Sequence, residues 1–175
     1  MSNKSDATII REVLGGNTES FGYLADRYYR LCVHYLMNAM FIDRETAYDL
    51  TQDAFARAFK SLASFSTERP FKPWLMRICR NLAIDNLKNK NRKALNLFEN
   101  AVHTADPSES TVEHLDLKNA IGQLTARQQE IVEMHYFWAL TCNEIAEILL
   151  IPPGTVKSEL FLSRKRMLSI LEKEV

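Results

Sequence analysis

The side chains that could do chemistry fall into two groups of cations interleaved with aromatic rings. Over 157–165, Lys157, Ser158, Phe161, Arg164 and Lys165 share one side of a helical repeat, and Val156, Leu160, Met167, Ile170 and Leu171 share the other. Over 65–88, the rings Phe65, Phe71 and Trp74 stand close to Arg77, Arg80, Asn81 and Lys88. Lys and Arg hold phosphates by charge, and unstacked bases find aromatic faces worth roughly 1 to 3 kcal/mol each. The same rings also suit a hydrophobic core. A third group, Asp49, Gln52 and Asp53 with Lys60, forms a polar stripe that could meet a partner or only solvent.

Bond-making chemistry has no such support. There is no Gly-rich phosphate loop, no nucleophile elbow and no pair of carboxylates beside a pocket signal. Cys32, Cys79 and Cys142 stand far apart without a CxxC pair, and His34, His103, His114 and His135 are equally scattered. No catalytic, cofactor-binding or metal-ligating residue is therefore expected, and the cysteines read as small, reduced side chains.

The elements that position the cationic groups are helices. Thr141 with Glu144 is a capping box that starts one near Cys142, and Ile145, Ala146 and Leu149 mark its apolar face. Ile151-Pro152-Pro153-Gly154 stops it, since proline cannot continue the ladder. A second helix opens at Gly154-Thr155 and carries the 157–165 cations. Two short helices meeting at a tight corner, the second basic, match a helix-turn-helix that enters the DNA major groove. An αα-hairpin packed on a bundle fits the same stretch.

Upstream, Asp6 is expected to cap a short helix ending at Gly15-Gly16-Asn17. A long amphipathic helix follows through Phe21, Leu24, Ala25, Tyr28, Leu31, Cys32, Tyr35 and Ala39. Asp43 caps a third, with Ala47, Leu50, Ala54, Ala58 and Leu62 inward. After a loop at 66–70, Pro73 falls in the first turn of a fourth, whose inner stripe is Trp74, Leu75, Ile78, Leu82 and Ala83. From Asn91 to Thr111 the helical period is lost around Pro107. It returns from Val112 through Leu115, Ala120, Ile121 and Leu124, and a Thr125–Gln128 capping box begins a helix with Ile131, Val132 and His135 inward. No stretch alternates with period two, so the expected class is all-α.

With 175 residues and zero formal net charge, the chain makes no global case for a polyanion partner, so charge placement decides. From Lys72 to Lys93 seven cations face only Asp85, whereas Glu99, Asp106, Glu109, Glu113 and Asp116 follow without a Lys or Arg among them. No signal-peptide pattern or membrane-length apolar run occurs, which leads to an expected cytoplasmic location without membrane insertion.

Three segments in order then become specific: DLTQDAFARAFKSLASF (49–65), FKPWLMRICRNLAIDNLKNKNR (71–92) and LTARQQEIVEMHYFWALTCNEIAEILLIPPGTVKSEL (124–160). Together they resemble the bacterial extracytoplasmic-function sigma factors, two-domain helical initiation subunits of RNA polymerase. The resemblance implies a sigma region 2-like four-helix domain over 1–92, a flexible linker over 93–111 and a sigma region 4-like helix-turn-helix domain over 112–175. It implies a monomeric, non-enzymatic protein that binds the polymerase core through the β′ clamp helices and the β-flap, with Asp49, Gln52 and Asp53 at the clamp. It implies capture of the single-stranded minus-10 element by Phe65, Ser66, Thr67, Arg69, Trp74, Arg77, Arg80, Asn81 and Lys88, with Phe65 and the loop after it forming a pocket for an extruded base. Duplex reading of the minus-35 element falls to Thr155, Lys157, Ser158, Glu159, Phe161, Arg164 and Lys165. An anti-sigma factor is a further expected partner.

The chain departs from that family at Leu150, where Gly is common, at Glu159, where Arg is common, and at Leu162, often basic. Glu159 could accept from a cytosine N4 amine instead of holding phosphate, which implies an altered minus-35 preference. A stand-alone operator-binding regulator would share the helix-turn-helix, but would act as a symmetric dimer on duplex DNA.

Overall fold

A computed structural model of the chain describes residues 4–94, 117 and 119–172. Every regular element among them is helical, and the chain divides into two compact units, 1–100 and 101–175.

The first unit is a four-helix bundle. Helix α1 (Asp6–Leu14) is capped by Ser5, whose hydroxyl accepts from the Thr8 N–H at 3.2 Å. Asp6, expected to cap it, is instead its first residue. Its carboxylate takes a hydrogen bond from the Tyr28 hydroxyl at 2.6 Å and pairs with Arg27, tying α1 to α2. Gly16, at φ +105°, lets the chain reverse before a short 3-10 turn at Thr18–Ser20 and helix α2 (Phe21–Asn38). Helix α3 (Arg44–Ser61) starts at Asp43, which accepts from the Thr46 N–H at 3.0 Å. Helix α4 spans Phe71–Ala94, so it runs two residues into the stretch expected as linker, the rest of which lies outside the described residues.

Helix α3 packs between α2 and α4, and its inner face shows why. Ala47, Ala54 and Ala58 are small and fully buried, letting the larger Leu24, Tyr35, Leu36, Leu75 and Met76 fill the bundle. Burying each such large apolar side chain stabilises the fold by about 1.5 to 3 kcal/mol. Thr51 is also fully buried, its hydroxyl satisfied by the Ala47 carbonyl at 2.7 Å.

The second unit packs three helices on one another: α5 (Ala126–Tyr136), α6 (Cys142–Leu149) and α7 (Pro153–Leu171). Residues 119–122 are helical ahead of them, whereas Val112 and Leu115 lie outside the described residues. Both expected capping boxes are formed, with Thr125 and Gln128 on α5 and Thr141 and Glu144 on α6. Trp138, Ile131, Met134, Ile145 and Val156 are wholly buried between the helices. His135 is half-buried, its Nδ1 3.0 Å from the Leu140 carbonyl oxygen.

The corner between α6 and α7 sets the direction of the basic helix. Leu150 adopts the left-handed conformation at φ 56° and ψ 46°, and the Ile151 N–H donates back to the Ala146 carbonyl at 3.1 Å. Pro152 and Pro153 then have φ suited to starting α7 and lack the N–H that a first helical turn leaves unused.

Candidate nucleic-acid and polymerase interface

On α3 the wheel that buries Ala47, Ala54 and Ala58 turns Asp49, Gln52 and Asp53 out to solvent together. A row of rings runs beside them, which the polar pattern of α3 had hidden. Tyr48 stacks on Tyr29 at 6.4 Å, Tyr29 on Phe55 at 6.1 Å, and Phe21 meets Phe55 at 6.2 Å and Phe59 at 5.1 Å edge-on. Tyr48 and Phe59 keep substantial exposure at its two ends, and the Arg44 guanidinium lies 5.8 Å over Tyr48. The signal for the row was present in the spacing 48, 55 and 59, which places these rings along one side of a helix.

The segment from Phe65 divides its residues between core and surface. Phe65 is buried, edge-on to Phe71 at 5.9 Å and 4.7 Å from Trp74, with Phe71 and Trp74 5.5 Å apart. The three rings pack on each other, and Phe71 also meets Tyr28 of the bundle at 5.9 Å. Trp74 is half-buried. Above them Ser66 and Arg69 are exposed and Thr67 half-buried, with the Arg69 N–H donating to the Ser66 carbonyl at 3.0 Å to close a turn. Along α4, Arg77, Asn81 and Lys88 are exposed at intervals of four and seven residues and Arg80 is half-buried. Lys90, part of the same basic block, is engaged by Asp43 at 2.8 Å. That ammonium and the Thr46 N–H together hold the Asp43 carboxyl well below the usual carboxylate range.

On α7, Val156, Leu160 and Ser163 are buried, and Met167, Ile170 and Leu171 are half-buried. Lys157, Ser158, Phe161, Arg164 and Lys165 are exposed, Phe161 by 68%. The Ser158 hydroxyl donates to the Gly154 carbonyl at 3.0 Å. Arg164 is braced from α5: its Nε donates to the Tyr136 hydroxyl at 2.5 Å, and its guanidinium carbon lies 5.7 Å from that ring's centroid. Thr155 and Glu159 do not share this face equally, both being half-buried. Glu159 accepts from Gln128 Nε2 at 3.0 Å, which ties α7 to α5.

Among the described residues no group of three or more His, Cys, Asp or Glu side chains could hold a metal ion, and no helix is long and apolar enough to cross a membrane. The geometry is that of exposed surfaces, each built on a rigid helix.

Two family models match this chain in sequence: Sigma-70 region 2 over residues 24–93 and Sigma-70 region 4 over 114–167. The ECF RNA polymerase sigma factor SigW of Bacillus subtilis is 31% identical over 90% of this chain and 92% of its own. The sigma factor BldN of Streptomyces coelicolor is 28% identical over 86% of this chain and 60% of its own greater length. In fold, the sigma factor RpoE of Bartonella quintana, solved in complex with the anti-sigma factor NepR, superposes with a TM-score of 0.72 over 88% of this chain and 98% of its own, at 22% identity. The protein is thus a helical transcription-initiation factor, with sigma regions 2 and 4 as its two parts. It belongs to the extracytoplasmic-function sigma factors of the sigma-70 family, which bind RNA polymerase and direct it to promoters.

Proposed function

We propose that the two units divide promoter recognition, with α4 and the turn before it taking the non-template strand of the minus-10 element, and α7 taking the minus-35 element as duplex. The observation that carries this is the outward alignment of Arg77, Asn81 and Lys88 on α4, the helix that follows the 66–69 turn, in which Ser66 and Arg69 are exposed. Cations at helical spacing track a phosphate backbone, and the turn presents Ser66, Thr67 and Arg69 to a base lifted from the stack. Trp74 contributes its exposed edge, and Phe65 supports the turn from below.

On α7, Lys157, Arg164 and Lys165 meet phosphates, and Ser158 and Phe161 meet base edges, Phe161 being suited to the methyl of thymine. The Asp49, Gln52 and Asp53 face of α3 docks on the β′ clamp helices, and the 112–175 domain on the β-flap. Strand opening follows from differential binding: contacts made only by an unpaired base stabilise the open state and not the duplex. The segment that follows α4 makes the second engagement intramolecular, so two modest grips reach a useful combined affinity.

In this reading the protein acts as a monomer in the cytoplasm, where polymerase and chromosome are. Nucleotide addition belongs to the polymerase, and this subunit supplies promoter choice and melting without an enzymatic activity of its own. An anti-sigma factor that covers these surfaces is the proposed inhibitor, by analogy with the NepR complex. Run-off transcription with core polymerase on genomic fragments tests the proposal. Transcripts should start at a defined set of sites only when this chain is added; an absence of initiation at every template overturns it.

A further inference from the structure

We infer that Cys32 and Cys79 form an oxidation site, at which a peroxide converts the two thiols into a disulfide joining α2 to α4. The two sulfurs lie 3.4 Å apart, with the Cys79 thiol donating to Cys32 Sγ, and both residues are completely buried. They are 47 positions apart in the chain, so it is the bundle that brings them together. A disulfide has a length of about 2.05 Å, leaving roughly 1.4 Å to close, which small side-chain rotations and a slight slide of two packed helices can supply.

The chemistry balances with one peroxide per pair. The thiolate of one cysteine attacks an oxygen of hydrogen peroxide, the O–O bond breaks, and after proton transfer the products are a sulfenic acid and water. The second sulfur then attacks the sulfenic sulfur and expels the hydroxyl, which leaves as a second water with the proton from that thiol. Two thiols are oxidised, one peroxide is reduced, and two waters form.

Burial determines when this happens. Removal from water, then the hydrogen bond and charge of Cys79, push the Cys32 thiol well above its usual range, so it stays protonated while the helices are packed. Oxidation therefore follows transient separation of α2 and α4, and the resolving thiol is already at hand when the helices close. Capture as a disulfide then outruns further oxidation to sulfinic acid. The bond would anchor α4 between the exposed Arg77 and Asn81, covalently fixing the helix that carries them. Cys142, half-buried and in the other unit, serves as an internal control.

The test uses the full chain, reduced and freed of reductant, then exposed to hydrogen peroxide with and without urea below the unfolding transition. Remaining thiols are alkylated under denaturing conditions, and intact mass and cross-linked peptides are read. The expected product has lost two hydrogens, takes one alkyl group in place of the three of the reduced chain, yields a Cys32–Cys79 peptide, forms faster in urea and is reversed by dithiothreitol. Cys79→Ala, which adds no polar group to the core, should abolish the cross-link and divert Cys32 to sulfinic acid; should that variant not fold, the peptide map of the unaltered chain decides. Three alkylatable thiols after prolonged peroxide treatment, or disulfides that involve Cys142 or join two chains, overturn the inference.

Discussion

Gln128, in the first turn of α5, donates through Nε2 to Glu159 of α7 at 3.0 Å, joining residues 31 apart across the helix-turn-helix unit. The acid lies one position from Ser158 and two from Phe161, yet faces the neighbouring helix and not the open side. Its negative charge nevertheless remains close to where phosphates are expected. Glu159→Arg exchanges that tie for a cation near the duplex. Holoenzyme carrying this change should bind a minus-35-containing promoter fragment more tightly at low salt, and its log affinity against log salt should steepen by about one unit. Fluorescence anisotropy across a salt series measures both, and an unchanged slope would place the position away from the phosphate backbone.

Leu150 carries a conformational strain without an evident packing return. Its φ of 56° puts a β-carbon in the left-handed region, while its side chain is 79% exposed. Glycine adopts this conformation freely, at the expense of a more flexible unfolded chain. Left-handed backbone costs a non-glycine residue about 1 to 2 kcal/mol, and the entropic loss on introducing glycine is about 0.4 to 1 kcal/mol. Leu150→Gly should therefore stabilise the second unit by roughly 0.5 to 1 kcal/mol. Urea unfolding can follow this unit alone in a Trp74→Phe background, because Trp138 is then the sole tryptophan. A lower midpoint at unchanged slope contradicts the strain account.

The depressed Asp43 carboxyl predicts an acid-sensitive link in the first unit. Its folded value lies below its ordinary one because the Lys90 ammonium and the Thr46 N–H favour the charged form. That contribution is fully present above the unfolded value, about 3.9, and is lost as pH falls through the folded value. Both partners are about half-exposed, so screening keeps the effect small. Asp43→Asn keeps a capping side chain but neither pairs with Lys90 nor titrates. The stability difference between the two proteins should be flat above about pH 5, shrink below about pH 4 and diminish in high salt. Thermal melts over that range provide the measurement, and a difference independent of pH would remove the charge from the account.

The helices could be read from the sequence where local chemistry alone decides. Thr125 with Gln128, Thr141 with Glu144, and Asp43 each satisfy N–H groups within their own first turn, and all three caps are present. Asp6 escaped that logic because a tertiary competitor, the Tyr28 hydroxyl with Arg27, claims its carboxylate while Ser5 performs the capping. The burial of Phe65 and the Gln128 partner of Glu159 escaped it for a related reason. Periodicity assigns a residue to a face, but whether another element covers that face depends on partners such as Phe71 and Gln128, at least six positions away. The Cys32–Cys79 approach was invisible to spacing rules, since those rules look for thiols close in sequence.

Asn81 and Asp49 separate the two proposed roles of the first unit, because both are exposed and neither supports the core. Asn81 lies between Arg77 and Lys88 on α4, where an amide can hydrogen-bond an unpaired base but gains nothing from an intact duplex. Asn81→Ala should leave co-purification with core polymerase and closed-complex affinity unchanged while reducing open complex. A loss of one or two hydrogen bonds, at about 1 kcal/mol each, corresponds to roughly a 5- to 30-fold decrease. Asp49→Arg should do the reverse, weakening capture by core polymerase with melting unimpaired once holoenzyme is driven to form by excess protein. Permanganate footprinting reads strand opening, and pull-down with core polymerase reads capture. The division fails if Asn81→Ala reduces both stages equally, since its contact would then belong to the closed complex, and it fails if Asp49→Arg co-purifies undiminished, since α3 would then face something other than the clamp.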